Sequence, residues 1–158
     1  MSTLMTAIND NNSEQVQRLV AEGADVNQLE ANGDAPLIIA AYKGYSEIVE
    51  ILLRAGADVT VVDPGMKATA LHAAAYAGRT EAAKLLIDYG IDIDAQGPYN
   101  GFTALHDAIW QNNVETAKVI IAAGPDLGVK NNDGQTPLEM AQARGRGDIA
   151  AEIRRKSN

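Results

Sequence analysis

The 158 residues are 46% apolar and 22% charged, a balance that folds around a core instead of remaining disordered. With 13 basic and 21 acidic residues the net charge is −8, which disfavours a nucleic-acid backbone or an anionic membrane as partner and favours a basic or neutral protein surface. The absence of cysteine excludes disulfides, thiolate metal sites and a cysteine nucleophile.

The opening "MSTLMTAINDNN" has no basic stretch followed by a long apolar run, and no segment approaches the roughly 18 apolar residues of a membrane span. The expectation is a cytoplasmic, monomeric chain forming one domain over residues 1–158. Its elements are set by a repeat: Leu4, Leu37, Leu71, Leu105 and Leu138 stand 33, 34, 34 and 33 residues apart. Gly23, Gly56, Gly90 and Gly124 each follow their leucine by 19 residues, so all variation in length falls in the connecting loops. An alanine lies three after every leucine (Ala7, Ala40, Ala74, Ala108 and Ala141), small enough for neighbouring helices to approach closely.

In chain order, the first copy (about 1–33) enters a helix through "STL" and leaves it at Asn11. A second helix follows from Ser13 and Glu14, with Val16, Leu19 and Val20 as its apolar stripe. The second copy (34–67) opens with Pro36 at the first helical position, where proline loses no hydrogen bond. It turns at Gly44 and resumes at Ser46 and Glu47 with Ile48, Val49, Ile51, Leu52 and Leu53. The third (68–101) is capped by Thr69, turns at Gly78, restarts at Thr80 and Glu81, and carries Leu85, Leu86 and Ile87. The fourth (102–134) uses Thr103, Asn112 and Asn113, then Glu115, Val119, Ile120 and Ile121. The fifth (135–158) uses Thr136, Pro137, Gly145 and Asp148 before a basic end, "EIRRKSN". Asn and Gly are the residues that best tolerate the left-handed conformation ending a helix. Ser, Thr and Asn beside an acid suit the start of the next one.

The stretches "ATALHAAAYAGRTEAAKLLIDYGIDI" and "TALHDAIWQNNVETAKVIIAAG" resemble the ankyrin repeat, with its T-x-L-H opening and Gly-x-Asp close. The resemblance implies an all-α solenoid of five helix-turn-helix repeats, with short first helices lining a concave face and β-hairpin fingers along one edge. No accessory domain is expected. Five residues before the closing glycine the inner copies place Ile51, Leu85 and Val119, whereas the first has Arg18 and the last Glu152, the polar flanks of capping repeats. Residues 144–158 carry a net +3 against −11 for the rest. Cations at the negative end of a last helix account for that tail, with a docking role for Arg144, Arg146, Arg154 and Arg155 as the alternative.

The resemblance also assigns the two histidines, His72 and His106, to structure, each hydrogen-bonded to the threonine three residues earlier. Asp107 beside His106 makes no dyad, because consecutive helical residues point in different directions. Columns of Glu14, Glu47, Glu81, Glu115 and Asp148, and of Asp25, Asp58, Asp92 and Asp126, are products of the repeat. Asp92 and Asp94 alone make a poor calcium site. "GRG" at 145–147 lacks the spacing of a phosphate loop. No catalytic residue, metal or cofactor is therefore nominated.

What remains is a column five after the leucine: Tyr42, Tyr76 and Trp110 in the inner copies, presumed by the resemblance to face the groove. Tyr99 and Phe102 add two aromatics in the following finger, and Met66 and Lys67 sit in the finger before it. Those two fingers are each one residue longer than the regular spacing, and Lys67 stands where the other three have Gly33, Gly101 and Gly134. Exposed aromatics in one patch are typical of interface anchors. Rings that pack only on one another are the alternative. With Lys43, Gln111 and Asn9 around them, these residues are the candidate contacts of a non-enzymatic module that masks, inhibits or stabilises a partner protein. A groove enzyme, a small-molecule binder and a self-assembling scaffold are the rival readings.

Overall fold

The computed structural model describes residues 3–157 and contains, among them, ten helices in five pairs. The first helices of the pairs are α1 (Thr3–Asn9), α3 (Pro36–Lys43), α5 (Ala70–Ala77), α7 (Ala104–Gln111) and α9 (Pro137–Ala143). The second helices are α2 (Ser13–Ala21), α4 (Ser46–Arg54), α6 (Thr80–Asp88), α8 (Val114–Ala122) and α10 (Gly147–Ser157). Each first helix packs on the next first helix, and each second on the next second, giving two layers with the core between them.

The alanine column sits at the centre of that core. Ala40, Ala74, Ala108 and Ala141 have no exposed surface, so any larger side chain would push adjacent helices apart. Leu37, Leu71 and Leu105 are buried beside them, while Leu138 in the fifth copy is half-buried. Ile51 and Leu85 are half-buried against the next pair, and Arg18 at the matching position is exposed.

Every turn residue expected to be left-handed is so: Asn11, Gly44, Gly78, Asn112 and Gly145 have φ between 52° and 74°. Two of these glycines are required twice over. A Cβ at Gly44 would lie 2.6 Å from Arg79 Cδ, and one at Gly78 would lie 3.1 Å from Asn113. The first helices start as read, because Thr69, Thr103 and Thr136 each form a capping box, completed by His72, His106 and Glu139.

The second helices start differently. Ser13, Ser46 and Thr80 are the first helical residues and not the caps, which are Asn12, Tyr45 and Arg79, while α8 is capped by Asn113 with Glu115 in its first turn, as expected. Only Asn12 caps with its own side chain. At Arg79 and Asn113 the side chain is diverted, reaching back across the repeat boundary to close the first helix of the preceding repeat, whereas Tyr45 makes no side-chain cap bond. Arg79 Nε donates to the Tyr42 carbonyl at 3.0 Å, and Asn113 Nδ2 donates to those of Ala75 and Tyr76 at 2.8 and 3.1 Å. Arg146, one position before α10, donates to those of Ile109 and Trp110. Arg146 of the basic tail is thus part of the scaffold. Arg155 pairs with Glu152, and the Arg144 guanidinium stacks 3.9 Å from the Trp110 ring centroid.

The fingers are tighter than hairpins. Each is closed by one backbone pair, Glu30 to Asp34, Asp63 to Ala68, Gly97 to Phe102 and Asn131 to Gln135, so the extra residue of the second and third lies inside the turn. The described residues contain a single isolated bridge, Val62 with Thr69, and no strand. Asp25, Asp58, Asp92 and Asp126 each accept the backbone N–H two residues on, which is the local reason for the Gly-x-Asp column. Asp94 accepts from the Asp126 amide in the next repeat.

Candidate partner-binding groove

The first helices and the fingers enclose a groove of about 720 Å³. Three inner repeats build it with equivalent positions: Ile39, Ala73 and Asp107 from the residue two after the leucine, and Tyr42, Tyr76 and Trp110 from the residue five after. Those three rings form the ladder expected from sequence and keep 51%, 47% and 43% of their surface exposed. Met66, 57% exposed, overhangs from the second finger.

Phe102 lies elsewhere than expected. It is only 9% exposed, stacks on His106 at 5.5 Å between centroids and meets Trp110 at 5.9 Å, so it forms the groove floor instead of projecting from a finger. The cause is the Asn100 side chain, whose oxygen accepts the Phe102 amide and turns the chain inward. Tyr99, three residues earlier, does project, with 61% of its surface exposed. Trp110 is accordingly held between Phe102 on one side and Arg144 on the other.

Tyr99, Lys67, Lys43, Gln111 and Asn9 do not line the groove wall. Lys43 lies 6.0 Å over the Tyr45 ring, and Lys67 is exposed in its finger with φ 56°. These five occupy the finger edge and the ends of the first helices, around the groove and not in it.

Both histidines are fully committed. His72 Nδ1 lies 2.8 Å from Thr69 Oγ1, and its Nε2 donates to the Phe102 carbonyl at 2.8 Å. His106 repeats this with Thr103 and the Gln135 carbonyl. Nε2 carries the proton that faces a carbonyl, and Nδ1 accepts the backbone N–H of Thr69 or Thr103, so both rings are neutral, and burial holds their pKa below the usual value. Each histidine ties the start of one repeat to the finger of the next.

The residue that sequence reasoning missed is Asp107. It is half-buried in the groove wall, and burial pushes its carboxyl up to about 7. Its carboxylate has no hydrogen-bond or ion-pair partner among the described residues. A signal was present, because the matching positions in the adjoining copies are Ile39, Ala73 and Met140, all apolar. The finger acids in the groove are differently placed: Asp63 accepts three backbone amides, of Gly65, Met66 and Ala68, and Asp34 accepts from Asn32.

A family model, "Ankyrin repeats (3 copies)", matches residues 1–63 and 56–131. The chain belongs to the ankyrin-repeat family. Ankyrin repeats are generally protein-interaction modules and typically not enzymes. Among curated proteins the chain is similar to "Mitochondrial disaggregase" of Bos taurus, 42% identical over 62 residues, and to that of Homo sapiens, 40% identical over 62 residues. In both cases the match covers 39% of this chain and 9% of the relative. The matched segment thus spans less than a tenth of the length of these curated relatives. No helix of the described residues is long and apolar enough to cross a membrane.

Proposed function

We propose that this ankyrin-repeat chain binds a segment of another protein in its concave groove and acts by masking, inhibiting or stabilising that partner. The observation that carries the reading is the ladder of Tyr42, Tyr76 and Trp110, about half exposed along an apolar wall that a monomer gains nothing by showing to water. Because the repeats are stacked and braced before any partner arrives, little ordering entropy is lost on docking. The exposed finger residues Met66, Lys67 and Tyr99 would extend the contact at the rim. Lys43, Gln111 and Asn9 would border it.

The test is an affinity capture from the native cell extract with wild type and a Tyr42→Ala/Tyr76→Ala variant of equal melting temperature. A protein retained by wild type and lost by the variant supports the groove. Equal retention by both overturns it.

One observation favours a small-molecule or enzymatic reading: a carboxyl raised to about 7 within a groove of this size. Acid–base chemistry needs a second group beside it on the wall, however. His72, His106 and Asp63 have their polar atoms engaged, and Asp34 and Asp133 belong to the fingers. Turnover on a substrate panel that depends on Asp107 would replace the interaction reading with this one.

A further inference from the structure

Resting on that groove reading, we infer that the occupant is a peptide segment with a lysine or arginine set between apolar residues, its cation seated on Asp107. The groove lining is acidic, with Asp34, Asp63, Asp107 and Asp133 among its residues and no lysine or arginine, Arg144 being stacked on the Trp110 ring. The rest of the chain outside its last 15 residues carries −11, so a basic segment approaches down a favourable field. Within this set Asp107 differs from the others in position, and from Asp34 and Asp63 also in having no hydrogen-bond partner for its carboxylate. It stands on the helical wall, three residues before Trp110 on the same helix face, while the other three acids belong to fingers.

Helix α7 does not require a carboxylate there. Its N-terminus is already closed by the Thr103 and His106 capping box, and the Asp107 amide is satisfied by the Thr103 carbonyl. The helix N-terminus favours a charge there while burial without a partner opposes it, and an incoming cation would offset that cost. The neighbouring Tyr76 ring suits the same ligand, since the aliphatic stem of lysine or arginine packs on an aromatic face while its head reaches an acid. Apolar neighbours in the segment would cover Tyr42 and Met66.

The experiment is a selection of random twelve-residue peptides displayed against the full chain, keeping those that lose binding to Tyr42→Ala/Tyr76→Ala. Trp110 is the only tryptophan, so its fluorescence reports affinity directly. The expected result is that retained peptides carry a lysine or arginine, and that Asp107→Asn weakens them at least tenfold while Asp34→Asn changes them less than threefold. Replacing the peptide's cation by glutamine should give the same loss on the wild-type chain, which keeps the test valid if Asp107→Asn folds poorly. Groove-dependent peptides that lack a cation, or that bind Asp107→Asn as tightly as wild type, overturn this inference and leave the groove reading standing. A selection that yields no peptide dependent on Tyr42 and Tyr76 overturns both.

Discussion

The Arg146 guanidinium donates to the Trp110 carbonyl at 2.9 Å and to that of Ile109 at 3.0 Å, so a side chain of the fifth repeat closes a helix of the fourth. The same register position supplies Arg79 and Asn113 for the preceding boundaries. Helix C-termini leave carbonyls without internal partners, and the neighbouring repeat satisfies them here. Stability is thereby coupled between nearest neighbours, as a stacked solenoid requires.

Arg146→Ala removes both bonds at once, and the expected loss is about 1–3 kcal/mol. Arg146→Lys should recover only part of it, because an ammonium does not present the forked donors that reach two carbonyls. Urea unfolding midpoints of the three proteins check this. Equal midpoints for wild type and Arg146→Ala would remove the bracing role.

Phe102 and Tyr99 are three residues apart in one finger and should respond oppositely to truncation. Phe102→Ala empties a buried site against His106 and Trp110, with an expected loss of about 3–5 kcal/mol. Tyr99→Ala, largely exposed, should stay within about 0.5 kcal/mol while weakening any partner that uses the finger. Thermal melting read beside a binding assay separates the two.

Lys67 holds φ 56° where three other fingers have glycine, a conformation that costs a side-chain-bearing residue energy. Lys67→Gly is expected to raise stability by about 0.5–1 kcal/mol. If it also lowers affinity for a groove-bound peptide, the side chain contributes to the rim. Unchanged affinity assigns it to the loop alone.

The ladder, the left-handed turns and the threonine caps were legible because each depends on a residue type repeated at one register. The clasps of Arg79, Asn113 and Arg146 were not, since three different side chains perform one task and no single letter recurs. Phe102 was misplaced for a related reason: whether an aromatic in a longer finger points out or in is decided by the Asn100 hydrogen bond, which leaves no periodic trace. Asp107 was passed over because its neighbour His106 drew the question toward a dyad. The informative comparison was down the column with Ile39, Ala73 and Met140.

Burial sets two opposing pH dependences in the first helices. His72 and His106 are held neutral below their ordinary 6.5, so the unfolded chain takes up protons first. Their contribution is complete above about 6.5 and declines as pH falls through that value. Asp107 is raised from 3.8 to about 7, so the folded chain binds the proton more tightly, and stability declines as pH rises from about 4 to 7 and is level above. The groove's other titratable groups, Asp34, Asp63, Asp133, His72, Tyr42 and Tyr76, are common to wild type and Asp107→Asn, so the difference between the two isolates this carboxyl. Asp107→Asn should be more stable than wild type by on the order of 2–4 kcal/mol at pH 8, with the gap closing towards pH 4. Urea midpoints of both proteins across that range decide it. A gap that does not depend on pH would mean that Asp107 stays ionised in the folded chain, and the groove would then hold its charge without the help of a ligand.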